Sequence, residues 1–457
     1  MSEHVPALVV GGGVSGLVCT HALRKAGVEA RLVEAGSHAG GVILSGRMDG
    51  YLIEGGPQSF TATPALLDVV RDLELTEELV EAPAKAARYV LVDGQLQQVP
   101  MSPPAFLGSS LFSMSTKWSL VRDAVGKSKA PAEEESVAAF VRRKFTEELL
   151  EKAVGPMVSG IYAGDPEQLS LRAAFPAVFE AEESLGSVIR GMKKKSKEPD
   201  GSQPAGRLLS FKNGNETLMR ALAANLGSAL RTGMEVLRIR NEGSGHGRRG
   251  SRFVLEALGA AGLETIIADR LVMATPADVA AHLLEQSAAE VQVPLREIVY
   301  APMAVVSLGY AASSIGRTLD GFGFLVPRSA GIRILGSVWN SFLFPGRAPD
   351  GNVLMTTFIG GATDAAAVSL SDEELAAIAH QELVPILGIT GEPSFSNVVR
   401  YERAIPQYNL GHTARVDRME KSRASYKNLW LTGNYLQGPS VGACVEHAVK
   451  VARDVAK

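Results

Sequence analysis

The spacing of apolar and polar positions changes period along the chain, and each change marks an element. Residues 7–10 form an apolar run, followed by glycines and an amphipathic stretch over 17–26 that stops at Gly27. That pattern predicts strand, turn and helix. Over 28–34, Val28, Ala30 and Leu32 alternate with other residues and the run ends on Glu34. A second strand there closes a β-α-β unit. Residues 235–240 and 252–257 read as strands that the Gly-, Ser- and Arg-rich segment 241–251 joins as a hairpin. Two more short runs, 263–267 and 271–273, lead into Ala274-Thr275-Pro276, predicting a β-meander that returns to the first unit. Leu375, Ile378, Leu383 and Leu387 recur at helical spacing, so 373–387 predicts a core-facing helix. Near the end, 429–432 is strand-like and 443–455 predicts a last helix. The segment 191–206, with Lys193-Lys194-Lys195 and several breakers, predicts a solvated mobile loop.

A chain of 457 residues exceeds what one core usually serves, so two or three domains are expected. With 46 Lys plus Arg against 49 Asp plus Glu, the net charge of -3 gives no electrostatic reason for a nucleic-acid partner. Cys19 and Cys444 are too few for a disulfide framework and lack zinc-site spacing, which predicts a reducing compartment, inert thiols and no bound metal. The start, Met-Ser-Glu-His-Val-Pro, lacks the n- and h-regions of a secretory signal, so a cytoplasmic location is expected. No apolar stretch is long enough to span a bilayer; membrane contact would have to be peripheral.

Gly11-Gly12-Gly13-Val14-Ser15-Gly16 supplies G-x-G-x-x-G between the first strand and the first helix. The first glycine permits the turn, the second a close approach to a pyrophosphate, the third helix–strand packing. The helix N-terminus then faces the anion. Glu34 lies 18 residues after Gly16, where a carboxylate can take ribose hydroxyls. Three later features favour FAD over NAD: Gly40-Gly41, the bend Glu54-Gly55-Gly56-Pro57, and Gly433-Asn434 with Gly438-Pro439-Ser440-Val441-Gly442 opening the final helix. That second helix N-terminus suits negative charge on a reduced flavin.

At these residues the sequence resembles the flavin-containing amine oxidase and protoporphyrinogen oxidase superfamily, along its whole length. Among its branches it looks closest to the oxygen-dependent protoporphyrinogen oxidases, on Tyr162-Ala163-Gly164-Asp165-Pro166, Gly321-Phe322-Gly323, Phe344-Pro345, Phe358-Ile359-Gly360-Gly361 and the segment 431–445. One departure is His38, where the superfamily usually carries arginine four residues after the ribose acid.

The resemblance implies an α/β fold: a Rossmann-type FAD-binding domain from 1–83, 207–290 and 396–457, a helical membrane-associating domain over 84–190, a mobile loop at 191–206 and a mixed-sheet substrate domain over 291–395. It implies FAD-dependent oxidation of protoporphyrinogen IX to protoporphyrin IX in haem biosynthesis, six electrons in three hydride transfers, with oxygen reduced to hydrogen peroxide. Flavin carries the chemistry, so no catalytic side chain is assigned. Arg88 matches the arginine that binds a propionate; Phe322, Leu325 and Phe358 match the apolar positions that sandwich the macrocycle, and Gly160 one lining the cavity. By motif position, Val42, Gln58, Ser59, Val236, Asn434, Pro439, Ser440 and Val441 join the glycines, Pro57 and Glu34 as FAD contacts.

Residues 101–118 hold Phe106, Leu107, Leu111, Phe112, Met114 and Trp118, with Lys117, Arg122, Lys127 and Lys129 nearby. This suits a peripheral contact with anionic lipid on the inner face of the cell membrane, and equally a buried cap over the substrate cavity. A homodimer stays open. So do coproporphyrinogen III oxidation, which more basic residues on the cavity would favour, amine oxidation, carotenoid desaturation, and a flavin scaffold or haem chaperone without turnover.

Overall fold

The computed structural model describes residues 2–195, 207–242 and 252–457. The first β-α-β unit forms as the sequence predicts, with strand Ser2–Val10, helix Val14–Lys25 and strand Ala30–Val33. Ser2–Val10 lies at the centre of a seven-stranded sheet, flanked in parallel by Ala30–Val33 and Gly262–Met273. Leu230–Arg231 adds in parallel beyond Ala30–Val33, and Leu429–Leu431 beside residues 271–273. Strands Glu235–Glu242 and Arg252–Gly259 complete it as an antiparallel meander. The two short runs expected over 263–273 are one twelve-residue strand, Gly262–Met273. Its first half pairs with the meander and its second half with Leu429–Leu431, so one strand serves both halves of the sheet. The segments 196–206 and 243–251, expected as loops, lie outside the described residues; 191–195 continues the helix Val188–Lys195, against the loop predicted there.

A second seven-stranded sheet is mixed, in the order Phe395–Pro406, Tyr300–Ala311, Asn352–Gly360, Ile334–Val338, Gly321–Leu325, Ala87–Val92, Gln95–Gln98. Helix Asp372–Leu387 covers one face, burying Leu375, Leu383 and Leu387 against Val306, Leu308 and Tyr310. Its start is fixed by a capping box between Ser371 and Glu374.

Two boundaries differ from expectation. Ala87–Val92 and Gln95–Gln98 are strands of this sheet, so the helical region begins at Pro103–Gly108 rather than at 84. Phe395–Pro406 pairs with Tyr300–Ala311, so the sheet runs past 395. Strands with β-branched and aromatic residues cannot leave backbone groups unpaired in a buried setting, and the neighbour that satisfies them lies far off in sequence.

Candidate active site

The glycine turn is built by exclusion. Gly11 has φ +109°, and a Cβ there would come within 2.8 Å of the Ala274 carbonyl; one on Gly16 would fall 1.9 Å from the Gly11 oxygen. Those two positions hold the strand, the turn and the helix in contact. Gly13 differs: a Cβ would meet nothing within 4 Å, and Gly13 caps helix Val14–Lys25 with no side-chain acceptor. The first-turn N–H groups of Val14 and Ser15 are among those a helix start leaves without an intrahelical partner, with open space beside Gly13.

Glu34 accepts from Gly12 N at 2.6 Å through Oε2 and from Gly36 N at 2.7 Å through Oε1. Each carboxylate oxygen keeps a further lone pair for a hydroxyl. Met234 N donates to the Glu34 carbonyl at 2.8 Å and Gly233 N to that of Gly36 at 2.7 Å, which brings the strand carrying the buried Val236 beside the acid. Gly40 N donates to the Gly12 carbonyl at 2.8 Å, and a Cβ on Gly41 would lie 3.3 Å from the Gly13 Cα. A Cβ on Gly56 would in turn lie 2.1 Å from the Val42 oxygen. The three glycine segments are thus stacked backbone against backbone, with the Val42 side chain exposed on their outer side. His38 is exposed, near Glu216.

The bend after Glu54 is held by amides. Gln58 Nε2 donates to the Gly56 carbonyl at 2.9 Å, its Oε1 accepts from Asn340 Nδ2 at 2.7 Å, and the Pro57 carbonyl accepts from Asn215 Nδ2 at 2.7 Å. Gln58 thus spends its amide on the bend, while Ser59 beside it is half-buried. Beneath the bend, Glu54 and Arg347 form an ion pair at 2.8 Å with both side chains 1% exposed.

At the far end of the chain, Ser440 caps helix Val441–Ala456 by accepting from Ala443 N at 3.2 Å. A Cβ on Gly442 would lie 2.6 Å from Thr63 Cγ2, which seats this helix start against residues 61–63. Val441 is buried and Asn434 and Pro439 half-buried. Cys444 and Cys19 are both buried, and burial pushes their thiols up, to about 11 and about 12, so both stay protonated at neutral pH. Burial lowers His412 and His447 to about 4, which leaves both imidazoles neutral.

The substrate-side residues gather on one part of the mixed sheet. Arg88 is exposed, its guanidinium 5.8 Å from the Phe322 ring centroid, and the two line a cavity of about 1130 Å³ that Lys85 and Arg207 also border. Gly323, at φ +133°, lies at a register irregularity between Gly321–Leu325 and Ala87–Val92. Such a bulge flips the alternation. Accordingly Phe324 enters the core under helix Asp372–Leu387, while Phe322 joins Phe358 in an apolar cluster around Leu343 and Phe344. Leu325 faces Gly160, whose Cβ, if present, would lie 2.7 Å from Leu325 Cδ2.

Arg347, Asn340, Asn215 and Tyr408 escaped the sequence reading. Each acts on a partner remote along the chain, such as Gln58 for Asn340, so no local spacing announces it. In the 101–118 segment, read as lipid contact or buried cap, Leu111 and Phe112 are buried with Val90, while Met101, Leu107, Met114 and Trp118 are exposed.

Residues 14–456 match the family model described as flavin containing amine oxidoreductase. The chain is 34% identical to protoporphyrinogen oxidase 1, chloroplastic, of Arabidopsis thaliana, over 98% of this chain and 87% of that one. It is 29% identical to coproporphyrinogen III oxidase of Bacillus subtilis (strain 168), over 99% and 97%. A solved structure from Exiguobacterium sp. 255-15, provisionally assigned as a protoporphyrinogen oxidase, superposes with a TM-score of 0.80 at 26% identity, covering 99% of this chain and 98% of that one.

Proposed function

Since the chain belongs to the flavin containing amine oxidoreductase family, we propose that it oxidises protoporphyrinogen IX to protoporphyrin IX. The observation that carries this reading is the cavity where Arg88 stands over Phe322, on the sheet whose Leu325 faces Gly160, in a chain 98% of which matches a protoporphyrinogen oxidase. When bound, FAD supplies a two-electron acceptor that takes a hydride in each of three rounds and passes the electrons to oxygen, giving hydrogen peroxide.

The protein's own residues bind and orient. Val14 and Ser15 N–H groups would take the pyrophosphate, Glu34 the ribose hydroxyls, and Val236 the adenine side. The stack of Gly40, Gly41, Val42, Gly56, Pro57 and Ser59, with Asn434, Pro439, Ser440 and Val441, would border the ring system; Gln58 acts by holding the bend. Arg88 would fix a propionate, and a planar guanidinium suits a carboxylate bidentately. Phe322, Phe358 and Leu325 would exclude water from the macrocycle faces, and Gly160, without a side chain, leaves Leu325 its place.

A second reading, oxidation of coproporphyrinogen III, is favoured by one observation: Lys85 and Arg207 border the same cavity, and that substrate carries two more carboxylates. Purified protein given each porphyrinogen in air, with porphyrin fluorescence and peroxide followed together, tests the proposal. Faster turnover of protoporphyrinogen IX supports it; preference for coproporphyrinogen III selects the second reading; no porphyrin from either overturns both.

The greasy product accords with peripheral attachment to the inner face of the cell membrane through Met101, Leu107, Met114 and Trp118, with exposed Arg122, Lys127 and Lys129 for anionic headgroups. Among the described residues no helix is long and apolar enough to cross a membrane. A homodimer is part of the same proposal.

A further inference from the structure

We infer that Tyr408 is a positioning residue for the flavin, clipping the loop 434–438 and, with Gln407, tying it to the helix whose Gly160 packs against Leu325. The inference rests on the reading of 434–441 as a flavin border. The Tyr408 hydroxyl donates to the Asn434 carbonyl at 2.7 Å and accepts from Gly438 N at 2.7 Å. Those two groups bracket the loop between strand Leu429–Leu431 and helix Val441–Ala456. One buried hydroxyl therefore satisfies both ends of a turn whose Gly438, at φ +127°, has a backbone few residues adopt.

The ring is held as firmly as the hydroxyl. Tyr408 is 2% exposed, its ring stacks on His412 at 4.0 Å between centroids, and the Tyr162 ring lies at 5.7 Å. Its carbonyl accepts from Ser170 N at 2.8 Å. Next to it, Gln407 Nε2 donates to the Tyr162 carbonyl at 2.8 Å. Tyr162 ends helix Gly155–Tyr162, the helix that carries Gly160. The dipeptide thus grips the end of helix Gly155–Tyr162 with one side chain and the cofactor-side loop with the other. Burial raises the Tyr408 phenol well above its ordinary range, so it remains a donor at any working pH.

Tyr408→Phe keeps the ring and removes the clip. A buried donor and acceptor are then left without a partner, and the loop samples other conformations. Affinity for FAD falls with the fraction of loops in the competent form. Apoprotein reconstituted with FAD, followed by quenching of flavin fluorescence, should show a Kd about tenfold higher, and the flavin midpoint potential should move. Tyr310→Phe is the control: Tyr310 is fully buried under helix Asp372–Leu387 and loses a comparable bond, to His380 at 3.0 Å, so its FAD affinity and potential should match wild type. Unchanged Kd and potential in Tyr408→Phe overturn the inference, as does an equal loss in Tyr310→Phe. Should Tyr408→Phe not fold, hydrogen exchange in the wild-type apoprotein decides: a protected Gly438 amide before FAD is added supports the clip, and rapid exchange overturns it. None of these readouts uses a porphyrinogen, so failure of the proposed substrate would show separately, as intact FAD binding without turnover.

Discussion

Replacing Arg347 by leucine should destabilise the contact between strands Tyr51–Glu54 and Leu208–Phe211 beneath the bend. The Arg347–Glu54 pair is buried on both sides, and Arg347 Nη2 also donates to Ser210 Oγ. Glu54 keeps Ser45 Oγ and Asn215 N as donors after the change. Removing one partner of a buried pair costs about 3 to 5 kcal/mol, and the remaining donors put this case near the lower figure. A loss of about 3 kcal/mol corresponds to a fall in Tm of roughly 6 to 12 °C for the domain concerned. Burial already raises the Glu54 carboxyl, and Arg347 opposes that rise. Without Arg347 the folded-state value climbs further above the unfolded one, so the deficit is smallest below the ordinary glutamate range and grows as pH rises. Urea unfolding at several pH values measures it, beside Glu54→Leu and the double variant. The double variant should be less destabilised than the sum of the singles, because no lone charge is left. Arg347→Leu within about 0.5 kcal/mol of wild type, or strict additivity, would refute the reasoning.

Three other outcomes follow from the same structure. Gly56→Ala places a methyl against the Val42 oxygen, with backbone on both sides, and should yield protein purified with little flavin; absorbance near 450 nm per polypeptide reads this directly. Arg88→Ala should raise KM for the porphyrinogen by about tenfold to a hundredfold, as expected for losing a hydrogen bond to a charged group, with kcat changed far less; equal losses in both would place Arg88 in the transition state instead. Glu182 is 1% exposed; burial raises its carboxyl, but hydrogen bonds from Arg143, Ser128 and Lys144 outweigh this and hold it at about 2. Because its folded value is depressed, it contributes on the order of 3 kcal/mol above the unfolded value, lost as pH falls toward 2; urea titrations from pH 6 to 3 should show that slope, and Glu182→Gln should flatten it.

The first 34 residues were legible because every cue was local. Strand, glycines, helix and acid follow one another, and the structure adds that Gly11 and Gly16 are forced by contacts while Gly13 faces open space. The final helix was legible for the same reason. The mixed sheet was less so: the resemblance places 84–190 together as a helical domain, and only the parallel partner Gly321–Leu325 assigns Ala87–Val92 to the sheet. Phe322 and Phe324 have the same spacing as any strand pair, and only the bulge at Gly323 sends them to different cores. Leu111 and Phe112 stayed open between lipid contact and buried cap because both uses draw on the same apolar composition; packing against Val90 buries these two. The buried pair of Glu54 and Arg347, 293 residues apart, leaves no trace in spacing at all.

The proposed activity requires that a porphyrinogen reduce the bound flavin. Rapid mixing of the oxidised holoprotein with protoporphyrinogen IX without oxygen, at 450 nm, gives the answer in one trace. Bleaching whose observed rate rises and saturates with substrate, followed by porphyrin fluorescence and recovery of the yellow form when oxygen is admitted, is the predicted result. A flavin that stays oxidised with protoporphyrinogen IX and with coproporphyrinogen III would contradict the account and assign the cavity beside Arg88 to another substrate.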